Sequence, residues 1–327
     1  MIFETSRIRT YGTQTWAITL TIDVNMSNLD LEQAATEQKT HSCILNIQNG
    51  DARDVYNIAA PFDYFGRTVL AGRVEARDSE DAEIQLFEER TDGWVSFLKN
   101  PDFVGLQDPC VTTIGGKPVL GGVRFPCVFE DGSEGWQMEF FQANEDGSFK
   151  FLFSGPKKMK DIRLLELADG RILVLTRPQG EKGGAGRIGY VIVDSLADVT
   201  VEAIDEAPLL EGLCGADEWV GANEAHLLAN GKVGVLGHVA NFSDDGQRHY
   251  YAMAFVLDLE TGATTSADVI ACRADFPEGP AKRPDLVDVL FSGGLLRLGN
   301  GRARMYVGLS DAQAGSVELP DPFSAYE

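Results

Sequence analysis

An aspartate followed by proline is the pair in this chain best suited to moving a proton. Asp108 stands in LQDPCV, with Leu106, Pro109, Cys110 and Val111 as apolar neighbours. Pro109 is expected to hold Asp108 in an extended backbone. Partial desolvation is expected to raise its pKa and make it a proton donor near neutral pH. Positive charge is scarce here, which draws attention to Lys160, Arg163, Arg177 and His238. Lys160 adjoins Asp161, and Arg177 ends the partner strand of the same hairpin. An arginine fork beside a lysine point charge suits phosphate. The same cations would equally serve to neutralise carboxylates in buried ion pairs, and His238, in VLGHVA, would equally serve as a core histidine. Arg73 and Glu75, two apart on a strand, face the same way and form either a ligand-positioning pair or a structural bridge.

These residues belong to a recurring grammar of polar residue, apolar strand, glycine turn and second apolar strand, seen in LQDPCVTTIGGKPVLGG from Leu106 to Gly122. Asn57, Asp108, Asp161, Asn223 and Asp285 take comparable places, at gaps of 51, 53, 62 and 62 residues. Hairpins at that period predict an all-β fold, a five-bladed β-propeller of four-stranded antiparallel blades forming one domain over residues 1–327. Strands at Thr15–Val24 and Ser42–Gln48, with a short helix at Asn28–Gln38 between them, precede the first repeat. The N-terminal strands are expected to complete the last blade and close the ring, since an open ring leaves exposed edges. In a propeller the inner strands converge, which would crowd Asn57, Asp108, Asp161, Asn223, Glu224 and Asp285 into one funnel. Carboxylates and amides converging there suit a polyhydroxylated ligand. Taken singly, each is as well explained as a turn cap.

Composition narrows the classes. A net charge of −22 disfavours nucleic acid, which needs clustered Lys and Arg. No run is apolar enough for a signal peptide or a membrane span. The five cysteines (Cys43, Cys110, Cys127, Cys214, Cys272) never form a C-x-x-C pair, and His41, His226 and His249 show no ligand spacing. Neither metal nor cofactor is expected, and the thiols read as those of a reduced, cytoplasmic protein. Pro178–Gly189, PQGEKGGAGRIG, lacks G-K-[ST] and the setting of a dinucleotide fingerprint. It reads either as a hairpin tip or as a mobile flap beside a phosphate or nucleotide.

Taken in order, VYNIAAPF with GRVEARDSE, LQDPCVTTI, KDIRLLEL with TRP, GKVGVLGHVA and MYVGLSD resemble the motifs of glycoside hydrolase family 130, which contains five-bladed β-mannoside phosphorylases. With Gln before Asp-Pro, and MKDIRLLEL, TRPQG, GANEAHLL, FPEGPAKRPDL and FSGGL, the chain is more similar still to glycosyltransferase family 108, the mannosyltransferase-phosphorylases of β-1,2-mannan. The resemblance covers about Val55 to Phe323. It implies Asp108 as general acid, relaying a proton through a sugar hydroxyl. It also implies Lys160, Arg177 and His238 beside phosphate, Asp161 as the aspartate of the K-D motif, and Asn57, Arg73 and Asp311 lining the mannose subsite. The implied reaction is inverting transfer of mannose between a mannose-ended oligosaccharide and phosphate, mannose 1-phosphate or GDP-mannose. The alternatives are an inverting hydrolase using Glu224, Asp161 or Asp285 as base, and a non-catalytic carbohydrate-binding propeller. Gln107 and Cys110 depart from the E-D-P-R pattern, and Thr176 stands where phosphorylases often have His.

Overall fold

The computed structural model describes residues 40–327. The strand at Thr15–Val24 and the helix at Asn28–Gln38 lie outside the described residues. Two short strands, β1 (Thr40–Ile44) and β2 (Ile47–Gln48), open the described chain. Antiparallel meanders follow. The first holds β3 (Asp54–Tyr56), β4 (Phe62–Asp63), β5 (Thr68–Glu75), β6 (Glu83–Arg90) and β7 (Gly93–Val104). The second holds β8 (Leu106–Ile114), β9 (Lys117–Val128), β10 (Glu134–Ala143) and β11 (Phe149–Ser154), and the third β12 (Arg163–Glu166), β13 (Ile172–Thr176) and β14 (Gly189–Val193). The fourth comprises β15 (Trp219–Leu227), β16 (Val233–Phe242), β17 (Arg248–Leu257) and β18 (Asp268–Ala271); the fifth comprises β19 (Asp288–Arg297), β20 (Arg302–Leu309) and β21 (Gln313–Pro320). The chain is thus nearly all β, with several sheets.

The early strands are split between two meanders. β1 pairs antiparallel with β21 through Cys43↔Ser316 and Ile44↔Gly315, whereas β2 pairs parallel with β7 through Ile47↔Trp94. The fourth and fifth meanders merge into one sheet where His249 and Tyr250 of β17 pair parallel with Asp288 and Val289 of β19.

The third meander departs from the expected four strands. After β14 the chain forms helix α2 (Val201–Glu206), four-residue α1 (Gly180–Gly183) having come before it. Thr200 caps α2, its hydroxyl accepting from Ala203 N at 3.2 Å. Val199 and Ile204 are buried with Ile172 and Val174 and so cover the sheet's apolar face. Residues 208–210 follow the edge of β14 as a short bridge, with backbone bonds from Tyr190 N to Pro208 O and from Leu210 N to Ile188 O. A helix and a short bridge protect the edge where a fourth strand was expected.

The core lies between meanders rather than inside any one of them. Met138, Ile162 and Val174 pack the second on the third; Leu175, Val235 and Phe255 pack the third on the fourth. Ile58, Leu70 and Phe87 of the first meet Tyr306 and Ala314 of the fifth. Gly308 on β20 shows how close that last approach is. A Cβ there would fall 1.9 Å from Asn57 Oδ1, so only glycine lets the first site residue reach its place. Among the described residues no helix is long and apolar enough to cross a membrane.

Candidate functional site

The polar residues sit where inner strands stop, start or break: Asn57 follows β3 and Asp161 precedes β12, whereas β8 and β15 break within. Register shifts between Gln107 and Cys110 on β8 and between Ala222 and Glu224 on β15, so Asp108 and Asn223 occupy bulges. Asn57, Asp108, Asp161 and Asp311 have φ of +45°, +49°, +60° and +50°. Asp and Asn tolerate this left-handed region best among residues with a side chain, at a cost of about 1–3 kcal/mol each. Asp108 therefore is not extended, as Pro109 led us to expect, because the bulge sets its backbone. Asp285 does not share this phase. Pro284 starts a 3-10 turn, and Asp285 pairs with Arg283 at 3.1 Å and Arg248 at 3.2 Å. The matching break on the fifth meander falls at Ser292–Gly294 of β19.

One corner gathers carboxylates. Asn57 Nδ2 donates to Asp108 Oδ1 at 2.8 Å and to Asp311 Oδ1 at 3.3 Å. Arg73 Nη1 donates to the same Asp108 oxygen at 3.2 Å, while its Nε donates to Glu75 Oε2 at 2.7 Å. Glu75 is fully buried and also accepts from Tyr56 Oη and, at 2.8 Å, from Lys282 Nζ. Lys282 reaches Glu80 at 3.0 Å, and Arg73 lies over the Tyr56 ring. Arg73–Glu75 is thus both bridge and positioner: one end is anchored in the core and the other end holds Asp108.

The charge states here differ from the expectation. Burial pushes the Asp108 carboxyl up, but Arg73, Lys160 and the Asn57 amide outweigh it and hold it below the usual range. Asp311 goes the other way, raised by burial and by the Asp108 charge beside it. Two carboxylates sharing one amide are driven apart, a pattern that separates the roles of acid and base.

The other corner gathers cations. Asp161 is buried; its Oδ2 lies 3.3 Å from Arg177 Nη1 and 4.0 Å from His238 Nε2, and its Oδ1 lies 3.7 Å from Arg163. Burial raises its pKa, but Arg177, Lys160, His238 and Arg163 bring it down to about 2. Arg177 is held by donation from Nε to Val220 O at 3.0 Å, and Arg163 by donation to Asn223 O at 2.7 Å. Lys160 is differently placed: among the described residues its amine makes no ion pair, although its charge acts on both Asp108 and Asp161. His238 stacks on Tyr250 at 5.4 Å and is held neutral, its pKa lowered to about 3 by burial, with Arg177 and Lys160 opposing Asp161.

A cavity of about 530 Å³ joins the corners. Asp108, Lys160 and Arg177 line it, and Trp136, Trp219 and Phe242 form an aromatic wall. His238 lies behind that lining, as a partner of Asp161 and Asn223. Gly221 makes this packing possible, since a Cβ there would meet His238 Cε1 at 2.5 Å and Asp161 Oδ2 at 2.9 Å. Glu224 faces elsewhere: it accepts from Leu295 N at 2.6 Å, meets His226 at 3.0 Å, and lines a second cavity of about 220 Å³. The glycine-rich segment is tied down. Lys182 donates to Ala207 O at 2.6 Å and Arg187 to Gly215 O at 3.1 Å, so its cations point away from the cavity, which it meets only through Gln179 and Ala185. Sequence reasoning missed Tyr56, Glu80 and Lys282, although each lies inside a motif it quoted, VYNIAAPF, GRVEARDSE and FPEGPAKRPDL.

Residues 32–325 match a family described as a protein of unknown function (DUF1861). The chain belongs to that family, and with it to the group whose motifs it carries, glycosyltransferase family 108, sister to glycoside hydrolase family 130. MPT-4, a mannose phosphorylase from Leishmania mexicana solved with a phosphate ion, is 32% identical with a TM-score of 0.82, over 91% of this chain and 94% of that one. MPT-1, a GDP-Man-dependent mannosyltransferase from the same organism, is 28% identical with a TM-score of 0.80, over 92% and 96%. A β-1,2-mannobiose phosphorylase from Listeria innocua shares the fold at 15% identity and a TM-score of 0.60, over 82% and 89%. No curated protein matches the chain.

Proposed function

We propose that this protein is an inverting mannoside phosphorylase and mannosyltransferase. It would exchange a mannosyl group between phosphate, mannose 1-phosphate or GDP-mannose and a β-1,2-linked, mannose-ended oligosaccharide. The observation that carries this reading is the placement of Asp108 in one cavity with Lys160 and Arg177. A proton-transfer group and an anion site then stand beside the same reacting carbon. The likeness to a mannose phosphorylase that holds phosphate and to a mannosyltransferase supports the same reaction.

In the synthetic direction the ionised Asp108 takes the proton of the acceptor hydroxyl, directly or through a sugar hydroxyl, as that oxygen attacks the anomeric carbon. Phosphate leaves from the opposite face onto Lys160 and Arg177. In phosphorolysis Asp108 must first gain a proton; its lowered pKa makes the resting enzyme the form ready for synthesis. Phosphate needs no protein base, and the carboxylates a hydrolase would use are engaged: Asp161 with arginines, Glu224 with a backbone amide, Asp285 at the rim. We place Asn57, Arg73 and Asp311 at the mannosyl unit, with acceptor sugars against the aromatic wall.

The same reading treats residues 1–327 as one domain, a five-bladed propeller closed by the strand that pairs with β21. The packing of first on fifth meander supports it. It also takes the enzyme as cytoplasmic, in keeping with five free cysteines. The test is incubation with β-1,2-mannobiose, with and without phosphate, following mannose 1-phosphate and free mannose. Phosphate-dependent mannose 1-phosphate is expected. Free mannose regardless of phosphate would establish a hydrolase instead, and binding without turnover of this substrate or of GDP-mannose would establish a carbohydrate-binding propeller.

A further inference from the structure

Behind Arg177 lies a corner in which hydrogen bonding decides where a proton sits. The structure sets Asn223 Oδ1 2.8 Å from His238 Nδ1 and 3.3 Å from Ser292 Oγ, but the two ends of an amide have nearly the same shape, and the hydrogen bonds around them decide which end belongs there. Ser292 Oγ lies 2.7 Å from the carbonyl oxygen of Gly237. All three side chains are buried: Asn223 is 1% exposed, His238 3% and Ser292 0%.

A serine hydroxyl has one proton. The Gly237 carbonyl can only accept, and at the shorter distance it takes that proton. Ser292 therefore faces Asn223 with a lone pair, and the asparagine atom there must donate, which only the amide nitrogen does. Its second N–H meets His238 Nδ1, so Nδ1 is unprotonated and the imidazole proton lies on Nε2. With Oδ1 in that place, as the structure has it, Nδ2 is buried with no acceptor; turning the amide over satisfies both N–H groups and leaves only a carbonyl oxygen unpaired, a cheaper orphan. The far side of the ring agrees. Nε2 lies 4.0 Å from Asp161 Oδ2, a buried oxygen that has no hydrogen-bond partner among the described residues. A ring lone pair there would repel the carboxylate, whereas an N–H is drawn to it.

We infer that Ser292 and Asn223 are positioning residues that lock His238 as the Nε2–H tautomer, so that the ring donates toward Asp161 and steadies its pairing with Arg177. The role of Arg177 in holding phosphate rests on the proposed function; the tautomer does not. Burial keeps the ring neutral, so one tautomer or the other must be present near neutral pH.

The experiment is long-range 1H–15N NMR on the full chain with 15N-labelled imidazoles, with His238 assigned by its loss in His238→Gln. Nδ1 is expected at the frequency of a bare ring nitrogen and Nε2 at that of a protonated one. The reverse pattern, or two nitrogens averaged by exchange, overturns the inference. Asn223→Asp offers His238 only acceptors and is expected to move the proton to Nδ1. It should raise KM for phosphate about tenfold with a smaller change in kcat, the size of one weakened charge-assisted bond. An unmoved proton in that variant overturns the role of Asn223. Ser292→Ala, a milder change, is expected to let the second tautomer appear; a spectrum and phosphate KM identical to wild type remove Ser292 from the chain of contacts. Because the wild-type spectrum needs no substrate, the expected tautomer in a protein inactive on mannosides would overturn the proposed function alone.

Discussion

The two corners of the cavity are built alike and charged oppositely. Both place a left-handed acidic residue, Asp108 or Asp161, where its strand breaks or begins, and both brace it with a buried arginine. At the first corner three cations, Arg73, Lys282 and Arg283, face four carboxylates, Glu75, Glu80, Asp108 and Asp311. At the second, Lys160, Arg163 and Arg177 face Asp161 alone, with His238 neutral. The carboxylate surplus creates a competition for protons, raising Asp311 while its neighbours hold Asp108 down. The cation surplus leaves Lys160 without an ion pair among the described residues and suits an anion that arrives with the substrate. In the proposed reaction one backbone pattern would thus serve proton transfer at one end and phosphate at the other, according to which long-range partners surround the aspartate.

The comparison is broken most severely at Asp108. Asp108→Asn keeps the size and loses the proton function, and kcat for mannose 1-phosphate formation is expected to fall about 10²–10⁴-fold. Phosphate-induced thermal stabilisation should persist, because the cation corner is untouched. If the variant instead keeps activity and loses phosphate binding, the two roles are assigned to the wrong corners.

A smaller effect is expected from Arg177→Lys, which keeps the charge but loses the fork. KM for phosphate should rise by about 10–100-fold, equal to roughly 1.5–3 kcal/mol, with KM for the acceptor little changed. Equal rises in both constants, measured by initial rates, would show that the corners do not act separately.

Lys282→Met tests the first corner through stability. Glu75 keeps Arg73 and Tyr56 but loses one buried cation, at a cost of about 2–3 kcal/mol by denaturant unfolding. A variant as stable as wild type would show that Arg73 and Tyr56 alone neutralise Glu75.

The mildest test is pH. The folded pKa of His238 lies near 3 against an ordinary 6.5, so below about 6.5 the unfolded chain binds a proton that the folded chain does not. Stability therefore falls with decreasing pH from about 6.5, by at most about 1.4 kcal/mol per unit from this group. Asp161, held near 2, adds a loss of the same sign below its ordinary 3.8, whereas Asp311 opposes it by taking its proton earlier in the folded state. His238→Gln should flatten the melting-temperature profile between pH 6.5 and the onset of the carboxylate titrations. An unchanged slope would mean that His238 is protonated in the fold.

The chain alone, through its alternating apolar runs and glycine turns, determined an all-β meander architecture, and through its ordered motifs a family. It also marked four of the five sites, since Asn57, Asp108, Asp161 and Asn223 are polar residues set where apolar strands end, break or begin. Asp285 misled because a period counts residues and not hydrogen bonds: the fifth break lies at Ser292–Gly294, beyond a 3-10 turn that spacing does not register. The third meander likewise exchanged a strand for α2, a local choice that its apolar residues allow equally. What only the tertiary structure decided was charge state and partnership. Lys282 meets Glu75 across 207 residues, and Asn57 meets Asp311 across 254. A pKa depends on the charges within a few ångströms, and here the packing of the meanders, far more than the sequence neighbours of Asp108, supplies them.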